Sequence, residues 1–300
     1  MAHTKSRFWS AFLILFFLAV GGGLFIAAIA YLFFPSDDGI LATTLSSNKI
    51  AIVRIKGVIL DSEHTINQIR RWTKDEDVKA IILRINSPGG AVAPSQEIYS
   101  EVIKASKKKP LITSMGTVAA SGGYYIAAAS ARIIADPGTL TGSIGVIMMF
   151  SNFQKLMDKI GLESVVLKSG KFKDTGSPYR PFTKEDRELL QGVIKSIYTQ
   201  FVTDVASGRN MDIDDVRKLA DGRVYTGEQA LENGLVDQLG TMRDAIDIAA
   251  KMADMKAEPV IVEDKGEPGF LKWLLGDELD MKIPGTAGLS SGVYYLWPSW

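Results

Sequence analysis

Apolar and polar positions follow two different periods along the middle of the chain. Short β-branched or apolar runs predict strands, whereas apolar positions three or four residues apart predict helices. The predicted strands are 50–60, 80–85, 111–115, 164–167 and 259–262, and the predicted helices are 65–74, 94–107, 153–160, 184–207, 212–219 and 242–253. Such alternation predicts an α/β domain in which helices pack on a sheet. Thr183 and Asp186, three residues apart, predict the N-cap of the helix that starts at 184.

The N-terminal region has a different pattern. Residues 8–34 carry no charge, and as a helix they would be about 40 Å long, more than the roughly 30 Å of a bilayer core. Positive charge within 1–7 and acidic charge at 37–38 predict a cytoplasmic N-terminus, a transmembrane anchor over 8–34 and the rest of the chain outside the cytoplasm. A cleaved signal peptide is the alternative, because small residues at 28–30 resemble a cleavage site.

Two further segments flank the folded region. Residues 35–48 are rich in Ser, Thr, Asp and Gly and predict a linker, which leaves 49–265 as the folded domain and 266–300 as a C-terminal tail. The tail ends in an aromatic stretch at 293–300, which we expect to dock as an extended strand near a peptide groove. A disordered tail and an aromatic patch on a membrane surface are the alternatives.

Composition excludes several kinds of site. The 300-residue chain has no cysteine, which excludes a thiol nucleophile, a thiolate zinc site and disulfides. Its two histidines are His3 and His64, and the polar neighbours of His64 are typical of a surface residue, so no Ser-His-Asp triad or histidine-rich metal centre is expected. Basic and acidic residues number 34 each, so no nucleic-acid-binding surface is expected. No cofactor is implied.

Two glycine-rich clusters have residues suited to chemistry. Residues 86–90 (Asn-Ser-Pro-Gly-Gly) follow a predicted buried strand, where glycines either bring bare amides close to a ligand or simply form a tight turn. In the second cluster, 116–129, Ser121 sits among small residues at the start of an alanine-rich run. The serine is either a nucleophile or an ordinary helix N-cap.

A serine nucleophile needs a base, and with histidine set aside a lysine with a lowered pKa can serve. The candidate segment is 169–182, in which Lys171 and Lys173 flank an aromatic residue. Most lysines are solvated surface charges, and the chemistry of these two side chains does not choose between them.

Five motifs occur in order, and together they resemble the S49 serine peptidases of the bacterial signal peptide peptidase A family. They are Arg-Ile-Asn-Ser-Pro-Gly-Gly at 84–90, Ala-Ser-Gly-Gly-Tyr-Tyr at 120–125, Thr-Gly-Ser-Ile-Gly at 141–145, Lys-Phe-Lys-Asp at 171–174 and Val-Tyr-Thr-Gly-Glu-Gln-Ala at 224–230, running into Gly-Leu-Val-Asp-Gln-Leu-Gly at 234–240. The resemblance covers about 49–263. It implies an α/β Clp protease/crotonase-like domain of repeated ββα units, preceded by one N-terminal transmembrane helix.

The resemblance also implies roles for individual residues. Ser121 matches the nucleophile, Lys173 the general base, and Ser143 the serine that orients the lysine amine. The residues whose backbone amides match the oxyanion hole are Gly89, Gly90 and Gly122. The family pattern implies an endopeptidase that degrades cleaved signal peptides through an acyl-enzyme, held in the bacterial inner membrane with its catalytic domain outside the cytoplasm.

The short, single-copy form of the family implies a homo-oligomer, a ring or dome of several chains. In that form the lysine comes either from the same chain or from a neighbouring subunit. Three other functions are consistent with parts of the pattern: a membrane-protein quality-control peptidase of the stomatin-operon type, a non-catalytic membrane scaffold, and a crotonase-like acyl-CoA enzyme. A location outside the cytoplasm argues against the last of these.

Overall fold

The computed structural model describes residues 21–22, 48–264 and 293–296. Apart from 21–22 and 293–296, the predicted anchor at 8–34 and the tail at 266–300 lie outside the described residues. The chain divides into two compact units, Met1–Ser46 and Ser47–Trp300. Within the described ranges, no helix combines the length and the apolar character needed to span a bilayer.

The described part of the second unit alternates strands and helices. The helices are α1 Glu63–Lys74, α2 Val92–Ser106, α3 Gly122–Ala127, α4 Gln154–Ile160, α5 Lys184–Arg209, α6 Ile213–Leu219, α7 Gly227–Glu232 and α8 Met242–Met252. The strands are β1 Lys49–Lys56, β2 Val78–Ser87, β3 Gly89–Ala91, β4 Leu111–Ala120, β5 Arg132–Ala135, β6 Leu140–Gly142, β7 Ile147–Met148, β8 Val224–Thr226, β9 Gln238–Leu239, β10 Val260–Glu263 and β11 Val293–Leu296.

A parallel sheet forms the centre of this unit. Its strand order is β10-β1-β2-β4-β5-β9, and β6 pairs in parallel with the last residues of β4 and antiparallel with β8. A smaller antiparallel sheet places β11 between β3 and β7. The predicted α/β class is therefore confirmed, and the central sheet is mostly parallel.

Alternate residues of the central strands point to opposite faces and fill two separate cores. Ile50 and Ile82 lie on the face covered by α8. Ala51 and Ile81 lie on the other face, in the core that also contains side chains of α1, α2, α3 and α5. Because both faces are covered, the strands are nearly continuous apolar runs rather than alternating ones.

One predicted element is wrong. Residues 164–167 form no strand and pair with none of the described strands. Val165 is 77% exposed and Leu167 is 95% exposed, so their apolar side chains pack on no sheet. A β-branched, apolar composition favours a strand only where neighbours are present to pack against it.

The remaining predicted strands and helices are present, with ends shifted by a few residues. The strand predicted at 50–60 ends at Lys56, because Gly57 follows it with φ +70°. The predicted N-cap is confirmed as a capping box: the Asp186 amide donates to the Thr183 hydroxyl, and the Thr183 amide donates to the Asp186 carboxylate.

The parallel pairing of β2 with β4 determines where the glycine-rich clusters lie. Ser87, at the end of β2, is in register with Ala119, near the end of β4. Parallel strands present their carboxyl ends at the same edge of a sheet. The turn at 88–90 and the turn at Ser121 follow these strand ends directly and therefore meet at that edge.

We expect two glycines of helix α5 to respond oppositely to alanine. A β-carbon on Gly208 would lie 2.1 Å from the Ala128 carbonyl oxygen, so Gly208→Ala should destabilise the protein by about 1–3 kcal/mol through overpacking. No atom would lie within 4 Å of a β-carbon on Gly192, so Gly192→Ala should stabilise by about 0.5–1 kcal/mol. Chemical denaturation measures both changes, and a stabilising Gly208→Ala would contradict this account of the helix contact.

Candidate active site

Ser121 occupies a strained turn between β4 and α3. Its backbone angles are φ 52° and ψ −113°, a conformation that few residues other than glycine adopt. Hydrogen bonds hold this turn: the Ser121 amide donates to the Gly142 carbonyl at 2.8 Å, and the Ser121 carbonyl accepts from the Tyr125 amide at 2.8 Å. Such strain, of order 1–3 kcal/mol, persists where the surrounding structure imposes it and is concentrated at functional sites.

The Ser121 hydroxyl is buried and has no hydrogen-bond partner among the described residues. It makes no capping bond to helix α3, so the interpretation of Ser121 as an ordinary N-cap is wrong. Buried polar groups are normally paired, and an unpaired one calls for an explanation. An unpaired hydroxyl in a strained turn makes Ser121 a candidate functional residue.

Helix α3, which follows Ser121, is anchored by two buried tyrosines. The Tyr124 hydroxyl donates to the Leu235 carbonyl at 3.0 Å, and the Tyr125 hydroxyl donates to the Asp204 carboxylate. Burial is the main cause that raises the pKa of both phenols, so they remain protonated donors. These two hydrogen bonds hold helix α3 in place, and with it the position of Ser121.

The glycine turn beside Ser121 uses most of its backbone groups internally. The Gly89 amide donates to the Ser87 hydroxyl at 3.1 Å. The Gly89 carbonyl accepts from the Ile59 amide, and the Ala91 amide donates to the Ile59 carbonyl. None of these three bonds uses the amide of Gly90. Gly90 lies in β3, on the edge with which β11 pairs.

Two backbone amides and a strand carbonyl meet beside Ser121. A β-carbon on Gly122 would lie 3.2 Å from both the Gly90 nitrogen and the Tyr295 carbonyl oxygen. A β-carbon on Gly89, where φ is +103°, would lie 2.1 Å from that oxygen and 2.7 Å from the Gly122 nitrogen. Glycine at both positions therefore leaves room for a carbonyl group next to the two amides.

Strand β11 supplies that carbonyl. Tyr295 lies opposite Gly90 in the antiparallel pair with β3, and Tyr294 lies opposite Ile147 of β7. The prediction that the C-terminal segment docks as an extended strand is confirmed for Val293–Leu296. The edge beside Ser121 is therefore a groove that accepts an extended chain.

The groove also contains an aromatic recess. The Tyr295 ring is fully buried, with its centroid 5.2 Å from that of Tyr125 and 4.5 Å from that of Phe201. Its hydroxyl donates to the Ile197 carbonyl at 3.3 Å. The recess accepts a large apolar side chain and offers one acceptor at its base.

Ser143 lies next to the Ser121 turn. β6 pairs with β4 so that Gly142 is opposite Ala120, which brings the residue after each strand to the same place. Ser143 is buried, has φ 50°, and donates its amide to the Arg223 carbonyl at 2.8 Å. The structure therefore brings Ser121, Ser143 and the three predicted oxyanion glycines together.

Lys173 is not part of this group within the single chain. Its side chain is exposed and forms no hydrogen bond or ion pair with any described residue, so its amine is not bonded to the Ser121 hydroxyl. Lys171 differs, because its amine lies 3.7 Å from the Glu185 carboxylate. His64 is exposed and hydrogen-bonded to Gln68, which confirms the prediction of a surface histidine.

Sequence reasoning missed Arg180, which lies six residues from a carboxylate on either side. Its guanidinium contacts Asp174 at 3.0 Å and Asp186 at 2.5 Å. The symmetric spacing of two acids around one arginine is the signal that would have indicated it.

Comparisons with known proteins match the same regions. The model of peptidase family S49 matches residues 103–256, and the Clp protease model matches residues 44–136. "Putative protease slr0021" of Synechocystis sp. is 40% identical over 226 residues, which are 75% of this chain and 82% of that protein. "Putative signal peptide peptidase SppA" of Enterococcus faecium is 39% identical, over 78% of this chain and 72% of that protein. "Protease 4" of Haemophilus influenzae is 36% identical over 78% of this chain, which corresponds to only 39% of that longer protein.

We expect removal of the C-terminal strand to expose Ser121 to reagents. A chain that ends at Pro284 lacks β11, which lies against Gly89 and Gly122 beside the hydroxyl. If the strand is docked most of the time, labelling by a fluorophosphonate should accelerate about tenfold or more on truncation, because the accessible fraction limits the rate. Intact-mass spectrometry follows the labelling, and Ser121→Ala is the unlabelled control. Equal rates with and without β11 would contradict its occupancy of the groove.

Proposed function

Because the chain belongs to peptidase family S49, we propose that it is a serine endopeptidase with Ser121 as nucleophile and Lys173 as general base. The observation that carries the proposal is the Ser121 hydroxyl, which is buried beside the amides of Gly90 and Gly122 and has no partner among the described residues. We assign the peptidase to residues 49–265 and interpret its strand–helix repeats as the ββα units of a Clp protease/crotonase-like fold.

The reaction follows from these groups. The neutral Lys173 amine takes the Ser121 proton as the oxygen attacks the scissile carbonyl, and the resulting ammonium protonates the leaving amine. Water then hydrolyses the acyl-enzyme. Ser143 orients the lysine amine. The amides of Gly90 and Gly122 stabilise the oxyanion, and losing one such donor typically costs about 3–4 kcal/mol. Gly89 belongs to the same turn, but its amide already donates to the Ser87 hydroxyl. Gly89 therefore contributes mainly through the shape of the turn.

Apolar peptides are the substrates that we infer. Strand β11 is a peptide segment in the groove, and it buries one aromatic side chain in the recess formed by Tyr125 and Phe201. Main-chain pairing with β3 and β7 accepts any extended sequence, whereas the recess selects for apolar side chains. Cleaved signal peptides meet this requirement, and the Enterococcus faecium relative carries the name of a signal peptide peptidase.

We further propose that a second copy of the chain completes the dyad in a homo-oligomer. Ser121 and Lys173 are not bonded to each other within one chain. The segment that leads to Lys173 exposes large apolar side chains, among them Leu162, Val165 and Leu167. Contiguous exposed apolar surface is typical of a contact between proteins.

Residues 8–34 would anchor this assembly in the bacterial inner membrane, with the peptidase domain outside the cytoplasm. The support is the uncharged apolar run and the charges that flank it. Protease protection of sealed inverted vesicles tests the topology, because an extracytoplasmic domain stays protected inside them. Digestion of the domain without detergent would contradict the proposal.

Single substitutions test the dyad. We expect Ser121→Ala and Lys173→Ala each to lower kcat by about 10³-fold or more, because nucleophile and base act as one unit. Lys171→Ala is the matched control, since it removes a neighbouring lysine and should retain most activity. Hydrolysis of a quenched fluorescent peptide by residues 49–300 measures the effect. Full activity in either dyad variant would refute the assignment, and an inactive Lys171→Ala with an active Lys173→Ala would reverse it.

Mixing the two inactive variants tests the shared site. If the lysine comes from a neighbour, subunits of Ser121→Ala and Lys173→Ala that are unfolded, mixed and refolded together should assemble some sites with both groups, about one in four on random association. Activity should therefore reappear in the mixture. Each variant refolded alone is the control. No recovery, in an assembly shown to contain both variants, would place serine and lysine on one chain.

A further inference from the structure

A network of ion pairs stabilises the segment that carries Lys173. Residues 161–183 contain no helix or strand, yet Arg180 connects their two halves to the start of α5. The guanidinium contacts both Asp174 oxygens at 3.0 Å and the two Asp186 oxygens at 2.5 and 3.0 Å. Asp186 in turn accepts from the Thr175 hydroxyl and the Thr183 amide. Bidentate arginine–carboxylate contacts of this kind have a defined geometry as well as strength.

Asp174, the residue after Lys173, is held by two cations. Besides Arg180, the Lys168 amine donates to it at 2.7 Å, and the Asp174 side chain is 12% exposed. Hydrogen bonds from Arg180 and then Lys168 lower the pKa of Asp174 to about 2, so it is a carboxylate at neutral pH. Its negative charge is thus fully developed and already paired.

The other charges nearby are paired as well. Lys171 lies beside Glu185 and over the Phe172 ring, and Lys184 lies beside Glu188. Among the described residues from 168 to 188, Lys173 is the lysine without a carboxylate or aromatic partner. The exposed ion pairs of Lys171 and Lys184 contribute little to stability. The less exposed ion pairs of Asp174 and Asp186 therefore contribute most to holding the segment in place.

This arrangement addresses a difficulty with a lysine base. A lysine accepts a proton only in its neutral form, and a free carboxylate next to it favours the ammonium and raises its pKa. Besides Lys173, the charged groups on the segment and on the start of α5 are Glu163, Lys168, Lys171, Asp174, Arg180, Lys184, Glu185, Asp186, Arg187 and Glu188. Of the acids in this set, Asp174 is the one adjacent to Lys173 in the chain.

Resting on the proposed role of Lys173, we propose that Arg180 and Lys168 are positioning residues that keep the Asp174 carboxylate from pairing with Lys173. The network leaves the lysine amine free to approach Ser121 and orients the segment that presents it. Asp186 fixes Arg180 from the start of α5, so the helix is the rigid support of the base.

Two substitutions and their combination test the proposal. Arg180→Gln releases the Asp174 carboxylate, which can then pair with the Lys173 ammonium, so the acidic limb of the kcat/KM profile should move to higher pH. A shift of one pH unit lowers activity at neutral pH about tenfold. Adding Asp174→Asn removes the released charge, so the double variant should return the limb toward its wild-type position and recover activity. Lys184→Gln is the matched control, because it removes a nearby positive charge without touching Asp174.

The outcomes separate this proposal from the proposed function. If Arg180 has only a structural role, the double variant should be at least as impaired as Arg180→Gln, and the acidic limb of the kcat/KM profile should not move. That result would overturn the proposal, while Lys173→Ala would still be inactive. An active Lys173→Ala would instead refute the lysine base itself. If thermal melting shows that Arg180→Gln does not fold, Lys168→Gln, alone and with Asp174→Asn, tests the same release of charge. An acidic limb at the same pH in Lys168→Gln with and without Asp174→Asn would also overturn the proposal.

Discussion

Parallel pairing of β2 with β4 is the constraint on which the site depends. It aligns Ser87 with Ala119, so the chain leaves both strands at one edge of the sheet and two turns must pass each other there. Glycines at 89 and 122 allow the close approach, with backbone nitrogen and oxygen atoms where side chains would otherwise lie. The pairing of β6 with β4 adds Ser143 to the same edge. One sheet register therefore brings together the proposed nucleophile, two backbone amides and a second hydroxyl.

The proposed base has a different structural origin. Lys173 lies on an irregular segment whose order comes from charge pairing at the start of α5 rather than from the sheet. In the proposed mechanism, the sheet edge that carries Ser121 and the segment that carries Lys173 have to meet for catalysis. Within the described part of the single chain they do not meet, since the Ser121 hydroxyl has no hydrogen-bond partner there. The proposed mechanism therefore links activity to the contact between these two parts.

The sequence predicted four strands of the eight-stranded sheet, β1, β2, β4 and β10, because apolar runs are local signals. The short strands β5, β6, β8 and β9, of two to four residues, were not predicted. The grouping of Ser121 with Ser143 and the glycines came from the family motifs. The strand expected at 164–167 failed because Val165 and Leu167 find no neighbour to pack on, which a local pattern does not reveal. Arg180 was missed for a related reason: its two acids become partners only when the segment folds back onto α5. The choice of Lys173 over Lys171 came from the family motif, and it stays a prediction.

The position of β11 affects how substrates compete for the groove. Because the strand belongs to the same chain, its local concentration beside Ser121 is independent of how much protein is present and is on the order of millimolar for tethered segments. A free peptide at micromolar concentration must therefore have roughly a thousandfold greater intrinsic affinity to occupy the groove equally. With the proposed membrane anchor, a peptide confined to the same membrane surface would gain in local concentration. The groove would thus discriminate by where a peptide is held as much as by its sequence.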